Sequence, residues 1–318
     1  MTKLDHSVLG ILVYYDIFSY PLLEPEIRDH LNQQTLPDAV AQSLHYLSAT
    51  GIIHKVGPYY TLQNNSFLIE RRENGNNIAA TLLPQAKGIS RFLYLFPFVR
   101  AVGISGSLSK NYADENSDFD YFIIAKTNRL WIASTLLGLF KKLSYITGKQ
   151  HCFCMNYYID ESYLEIPEHN IFTATELFTL KAGSGQKTIS KFLNANTWVR
   201  QFYSNYSSER KASELSPLGS LFKNTLEFLL NNIGGNYLDN WLMRKAVTRW
   251  KKKKASGKLV DLNGNPINLY LTDKHFCKHN PRYFQAKIVS AYSERMQNLR
   301  EIWPVSEDPL QVQQKAYD

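Results

Sequence analysis

Val102-Gly-Ile-Ser-Gly-Ser-Leu-Ser-Lys-Asn-Tyr-Ala-Asp-Glu-Asn-Ser-Asp-Phe-Asp-Tyr-Phe-Ile-Ile124 is the stretch on which the reading of this 318-residue chain turns. An apolar run enters Gly106-Ser107. Ten residues further on, Asp118-Phe119-Asp120 opens a second apolar run. In a strand, residues two apart share a face, so Asp118 and Asp120 project together while Phe119 points into the core. Two carboxylates side by side repel one another unless a cation lies between them. Oxygen donors of this kind suit magnesium, which proteins hold with one or two carboxylates plus substrate phosphates. Gly106 permits close backbone approach, and Ser107 offers a hydroxyl and an N–H to a phosphate oxygen. Ser109 and Lys110 lie in the turn that runs on to Asn116. There a solvated loop is the default, and contact of Ser109 and Lys110 with phosphate is the alternative.

The flanking segments supply a skeleton of strand, turn, strand, helix and strand. Residues 99–105 and 118–125 read as strands, 129–145 as an amphipathic helix ended near Gly148, and 152–159 as a third strand. Ser105-Gly106-Ser107 followed by Asp118-Phe119-Asp120 and Tyr121-Phe122-Ile123-Ile124 resembles the polymerase-beta-type nucleotidyltransferase superfamily over about residues 99–160. The residue before Gly106 departs from that pattern, being Ser105 rather than apolar. The resemblance implies a palm domain, a nucleoside triphosphate, magnesium held by Asp118 and Asp120, and phosphate contacts at Gly106 and Ser107. It implies transfer of a nucleoside monophosphate to an acceptor hydroxyl on a small molecule, RNA or protein. It also implies a third carboxylate on the next strand, where the aligned residue is Asn156. An amide has no negative charge and takes no proton near neutral pH. Asp160 or Glu161 serves only if the strand register differs. Asn156 therefore leaves open a degenerate nucleotidyltransferase-like protein that binds or regulates without turnover.

Residues 1–65 read as three helices and a hairpin: 6–19, stopped by Pro21; 24–32; 37–50, opened by Pro37 and ended at Gly51; then two short strands around Gly57-Pro58. The pattern resembles a winged helix. The 37–50 segment has no Lys or Arg, and phosphate contacts dominate DNA affinity, so docking or packing is favoured over DNA reading. Residues 66–96 read as helix with a break near Asn74-Gly75. Beyond residue 166 the pattern is mainly helical, over 176–181, 189–206, 221–254 with a break at Gly234-Gly235, and 280–303. Residues 256–266 read as a loop, and the tail after Pro304 as frayed. The expected fold is α+β: a winged helix (1–65), a palm of mixed sheet with flanking helices (66–165), and a helical C-terminal region (166–318).

The net charge of +8 is uneven, because residues 1–65 carry three basic and six acidic side chains. A polyanion is therefore expected to meet the later chain, above all at 244–258. That segment holds Arg244, Lys245, Arg249, Lys251, Lys252, Lys253, Lys254 and Lys258 with Trp241 and Trp250 nearby; a solvated helix end is the alternative. Cys152, Cys154 and Cys277 are too few for a disulfide framework and lack zinc spacing. They fit a reducing compartment. With no apparent signal peptide, a cytoplasmic location is expected, and no membrane partner, since the apolar run at 130–140 is too short to span a bilayer. His275, Cys277 and His279 read as surface or packing. Gly183 and Gly185 lack P-loop spacing and a preceding strand.

Overall fold

Thr2 starts the first helix, α1 (Lys3–Asp16). Its hydroxyl accepts from Asp5 N at 3.1 Å, and the Asp5 carboxylate accepts from Thr2 N at 2.7 Å, a reciprocal cap. The helix ends three residues before the expected Ser19, which adopts a left-handed φ of 53°. There follow β1 (Leu22–Leu23), α2 (Glu24–Asp29), α3 (Pro37–Ala49), β2 (His54–Val56) and β3 (Tyr59–Thr61). The hairpin of β2 and β3 is as expected; β1, which adds antiparallel to β3, is not. Val8, Leu9, Leu12, Ile27, Leu31, Val40, Leu44 and Leu47 meet in the core of this module. The computed structural model describes residues 1–115, 117–255, 272–278 and 282–304. Asn116, the 256–266 loop, Lys258, His279, the tail after Pro304 and the side chains of Lys253 and Lys254 lie outside the described residues.

The next helix, α4 (Phe67–Tyr94), runs unbroken through Asn74-Gly75 and past Pro84. Gly75 has a packing role instead. A Cβ there would lie 2.2 Å from the Tyr112 ring, so the missing side chain lets the ring settle on the helix. Arg72 of α4 anchors the N-terminal module. Its guanidinium donates to Glu26 at 2.7 Å and to the Pro21 carbonyl, and it stacks on Tyr20 and Tyr59 at 4.5 and 4.6 Å. A buried cation is tolerated only with such complete partnering.

The central sheet gathers β4 (Val99–Ile104), β5 (Asp120–Ala125), β6 (Cys154–Asp160), β7 (Lys181–Ser184) and β8 (Phe276–Lys278) in the order β7-β4-β5-β6-β8. Only β5 and β6 run parallel, so the sheet is mixed and the fold α+β. Between the strands come α5 (Gly106–Ser109), α6 (Leu130–Ser144), α7 (Ile171–Thr179), α8 (Gln186–Ala195), α9 (Pro217–Leu230) and α10 (Ile233–Ala255), with α11 (Arg282–Ile302) last. Helices α4, α6 and α10 cover one face; α7, α8 and the turn Thr197–Gln201 cover the other. α11 returns to pack on α1, with Arg295 paired to Asp16 at 2.6 Å.

Several expectations for the later chain need correcting. The region expected to be helical also supplies both edge strands, β7 and β8. Residue 181 begins a strand rather than ending a helix, because Lys181, Ala182 and Ser184 pair with β4. His275 lies just before β8 and Cys277 is buried within it, so the chain here is extended. The break after α9 falls at Asn231-Asn232, and Gly234-Gly235 lie in the first turn of α10. Among the described residues no helix is long and apolar enough to cross a membrane. Gly75→Ala is expected to cost about 1–3 kcal/mol by forcing the Tyr112 ring off α4. A urea unfolding curve with an unchanged midpoint would contradict that packing.

Candidate functional site

β4 runs out through Ser105 into Gly106, whose φ of 68° suits glycine, and then into α5. β5 returns antiparallel beside it, with Ile104 opposite Tyr121 and Ser105 N donating to Asp120 O at 2.9 Å. This register lays the Asp120 side chain on Gly106. A Cβ at Gly106 would sit 2.2 Å from Asp120 Oδ2. Phe119 is buried, as the alternation requires, and Asp118 is exposed. β5 starts at Asp120, two residues later than expected. The chain before it still pairs, with Phe119 N donating to His151 O at 2.9 Å and Cys154 N donating to Phe119 O at 3.1 Å.

Gly106, Ser107, Lys110, Asp120 and Asn156 all line one cleft of about 420 Å³. Asp118 does not line it, although its charge acts on Asp120. A volume of this size falls within the range of small-molecule sites. Lys110 is not a solvated loop residue. Its ammonium donates to Glu176 Oε1 at 2.6 Å and to the Gly106 carbonyl at 3.2 Å.

Asn156 reaches the cleft by a route the alternation does not describe. Cys154 pairs with Asp120 and Met155 with Tyr121, but Phe122 pairs with Tyr157, so Asn156 is the extra residue of a bulge. Its Nδ2 donates to Asp120 Oδ1, while Cys154 Sγ donates to its Oδ1 at 3.1 Å. Past the bulge the faces exchange. Tyr157 lines the cleft and Tyr158 enters the opposite core, so simple alternation does not carry the face of Asn156 on to Tyr158. Asp160 is buried, accepting from Ser162 N at 2.9 Å and meeting His275 Nδ1 at 2.9 Å. Glu161 faces Arg100 at 3.9 Å. Neither lines the cleft.

The carboxylate that sequence reasoning missed is Glu176, which α7 brings to the cleft wall. Arg71, Lys278 and the aromatic rings of Phe18, Tyr20, Tyr112 and Phe172 also went unnoticed. No local motif marks Glu176; only the packing of α7 against the sheet delivers it. Burial, then the charge of Glu176, then that of Asp118 push the Asp120 carboxyl up from 3.8 to about 6, against the opposing influence of Cys154 and Lys110. Crowding of this kind favours a cation, and the donors are hard oxygens that suit magnesium. Among the described residues no group of three or more His, Cys, Asp or Glu side chains is arranged to hold a metal ion.

Other sequence features fall outside the cleft. Arg244, Lys245, Arg249, Lys251 and Lys252 are exposed on α10. Trp241 is exposed, whereas Trp250 packs on Trp131 with ring centroids 5.9 Å apart. A strand does precede Gly185, contrary to expectation, and Gly185 adopts a left-handed φ of 85° before α8. The helix start is already taken by an acid, because Gln186 N donates to Glu214 Oε1 at 2.7 Å. No protein-family model, no curated protein and no solved structure matches the chain.

The raised Asp120 pKa has a defined sign. The folded state binds this proton more tightly than the unfolded chain, so stability falls as pH rises from about 3.8 to about 6 and stays lower above. Asp120→Asn is expected to raise stability by about 1–2 kcal/mol well above pH 6, after discounting for partial exposure, and to change it little below pH 3.8. Thermal melts at the two pH extremes check this. A loss of stability at high pH would show that the ionised carboxylate is comfortable in its cleft.

Proposed function

We propose that the chain is a magnesium-dependent nucleotidyltransferase that moves a nucleoside monophosphate from a nucleoside triphosphate to an acceptor hydroxyl. One contact carries the proposal: Asp120 lies on Gly106, beside Ser107, inside a cleft large enough for a nucleotide. In this proposal the N-terminal module is a winged helix used for docking. It supports that role by lending Tyr15, Phe18 and Tyr20 to the cleft wall.

Asp120 would hold magnesium from the cleft wall, with Asp118 adding negative charge from outside it, and the metal when bound would neutralise triphosphate charge and polarise the reacting phosphate. Ser107 binds a phosphate oxygen through its N–H and hydroxyl. Lys110 shares its charge between Glu176 and the phosphates. Tyr20, Tyr112 and Phe172 offer ring faces and edges to a base. The acceptor oxygen bonds to the α-phosphorus, the bond from that phosphorus to the bridging oxygen breaks, and pyrophosphate leaves. Glu176 takes the hydroxyl proton, the role for which Asn156 lacks a basic oxygen. The chain contributes mainly positioning and charge stabilisation.

A nucleotide-binding protein without turnover is the second reading, favoured by the orientation of Asn156. Its amide nitrogen, not its carbonyl, faces Asp120. Calorimetric titration of ATP, CTP, GTP and UTP, with and without magnesium, combined with pyrophosphate release over a range of acceptors, separates the two. For the transferase, Asp120→Ala weakens metal-dependent binding more than about tenfold, and Asp118→Ala less. Glu176→Gln lowers pyrophosphate release by about 10²-fold or more with affinity nearly unchanged. Metal-dependent binding with no pyrophosphate from any acceptor selects the binding protein. No binding of any of the four nucleotides removes both.

A further inference from the structure

We propose that α9 and α10 form a docking surface for an anionic lipid membrane. Helix α9 is mounted with its polar side inward. Lys223 and Glu227, one turn apart, are 5% and 7% exposed, whereas Leu221, Phe222, Phe228 and Leu229 are between 58% and 80% exposed. The inward side is held by polar contacts. Lys223 Nζ donates to the carbonyls of Tyr94, at 2.7 Å, and of Val99. Glu227 accepts from Phe98 N at 2.7 Å and from both Arg100 NH groups at 2.8 and 2.6 Å. An ordinary surface helix buries its apolar stripe and exposes its charges. Here the charges attach the helix and the stripe faces outward, so the stripe is free for something else.

α10 follows α9 after Asn231-Asn232 and also carries exposed apolar residues. Ile233, Tyr237 and Trp241 are exposed at one-turn spacing, and past them Arg244, Lys245, Arg249, Lys251 and Lys252 are exposed too. Lys245 lies over the Trp241 ring at 5.4 Å. The acids of the two helices, Glu227 and Asp239, are both buried. The order along the chain is thus apolar, then Tyr and Trp, then cationic. That is the order of a bilayer margin: acyl region, interface, anionic headgroups.

Charge complementarity selects this occupant. A second copy related by a two-fold axis would offer cations and no exposed acid of these helices to meet them. A nucleic acid would meet the cations but leave the apolar stripe in water. Surface attachment differs from spanning, so the lack of a spanning helix does not bear on it. α10 packs on the α4–α6 side of the sheet and the cleft is lined from the α7 side, so an attached protein keeps its cleft in water.

Flotation of the full-length protein with vesicles tests the proposal. Binding is expected to vesicles of equimolar phosphatidylcholine and phosphatidylglycerol, weak binding to phosphatidylcholine alone, and release in high salt. Phe228→Ser/Leu229→Ser and Lys251→Glu/Lys252→Glu are each expected to lower the bound-to-free ratio by about tenfold or more, with circular dichroism unchanged. If the serine variant does not fold, Trp241 emission, isolated by difference from Trp241→Phe, provides a second readout and is expected to shift to the blue on the mixed vesicles. Three outcomes overturn the proposal. One is no binding or no emission shift with the mixed vesicles. Another is undiminished binding of the serine variant where the glutamate variant is lost, which marks a general polyanion surface. The third is a lipid-free dimer that the serine variant turns into a monomer, which marks a contact between copies.

Discussion

Asp120 touches Gly106, and the site is built outward from that contact. A side chain at position 106 would meet a carboxylate oxygen at 2.2 Å, and its backbone φ of 68° would strain most residues. Both restrictions come from the same register, in which β4 and β5 run antiparallel and Ser105 bonds to the Asp120 carbonyl. Shift that pairing by one residue and Asp120 turns to the opposite core. A second glycine contact frames the same cleft from another side: Gly75 receives the Tyr112 ring, and Tyr112 becomes part of the wall. Two absent side chains, far apart in sequence, thus shape one opening.

The cleft is electrostatically tense. Asp120 is partly buried near Glu176 and Asp118, and its carboxyl holds its proton to about 6. Lys110 offsets part of that crowding through its 2.6 Å bond to Glu176. Such an arrangement costs stability, and a fold tolerates it where function gains from it. The N-terminal module is part of the same construction. Arg72 joins it to α4, and its aromatic residues complete the cleft, so the module and the site are one packed unit.

α9 is mounted the other way round from an ordinary surface helix. Its attachment depends on Lys223, Glu227 and Arg100 bonding to one another's neighbourhood along the start of β4. Buried charges are expensive unless each finds partners, and these do. The consequence is an outward apolar stripe next to an acid-free cationic end. Together with the cleft on the other side of the sheet, this gives the molecule two chemically different faces.

Local pattern in the sequence was enough for α1, α3, the β2–β3 hairpin, α6 with its glycine stop, and the strand, Gly-Ser, Asp-x-Asp order. Each has a periodicity or a turn residue that acts over a few neighbours. The alternation that buries Phe119 was legible for the same reason. β1, β7 and β8 were not, because strands of two to four residues exist through the partner that pairs with them, and that partner is distant in the chain. The bulge at Asn156, the arrival of Glu176 from α7 and the position of Asp118 off the cleft wall were equally hidden. α9 is the plainest instance. Its sequence has an apolar stripe and a polar side, but which one faces the protein was settled by Tyr94, Phe98 and Arg100 waiting to bond with Lys223 and Glu227. Periodicity specifies that a helix has two sides; only the groups across from it decide which side is in.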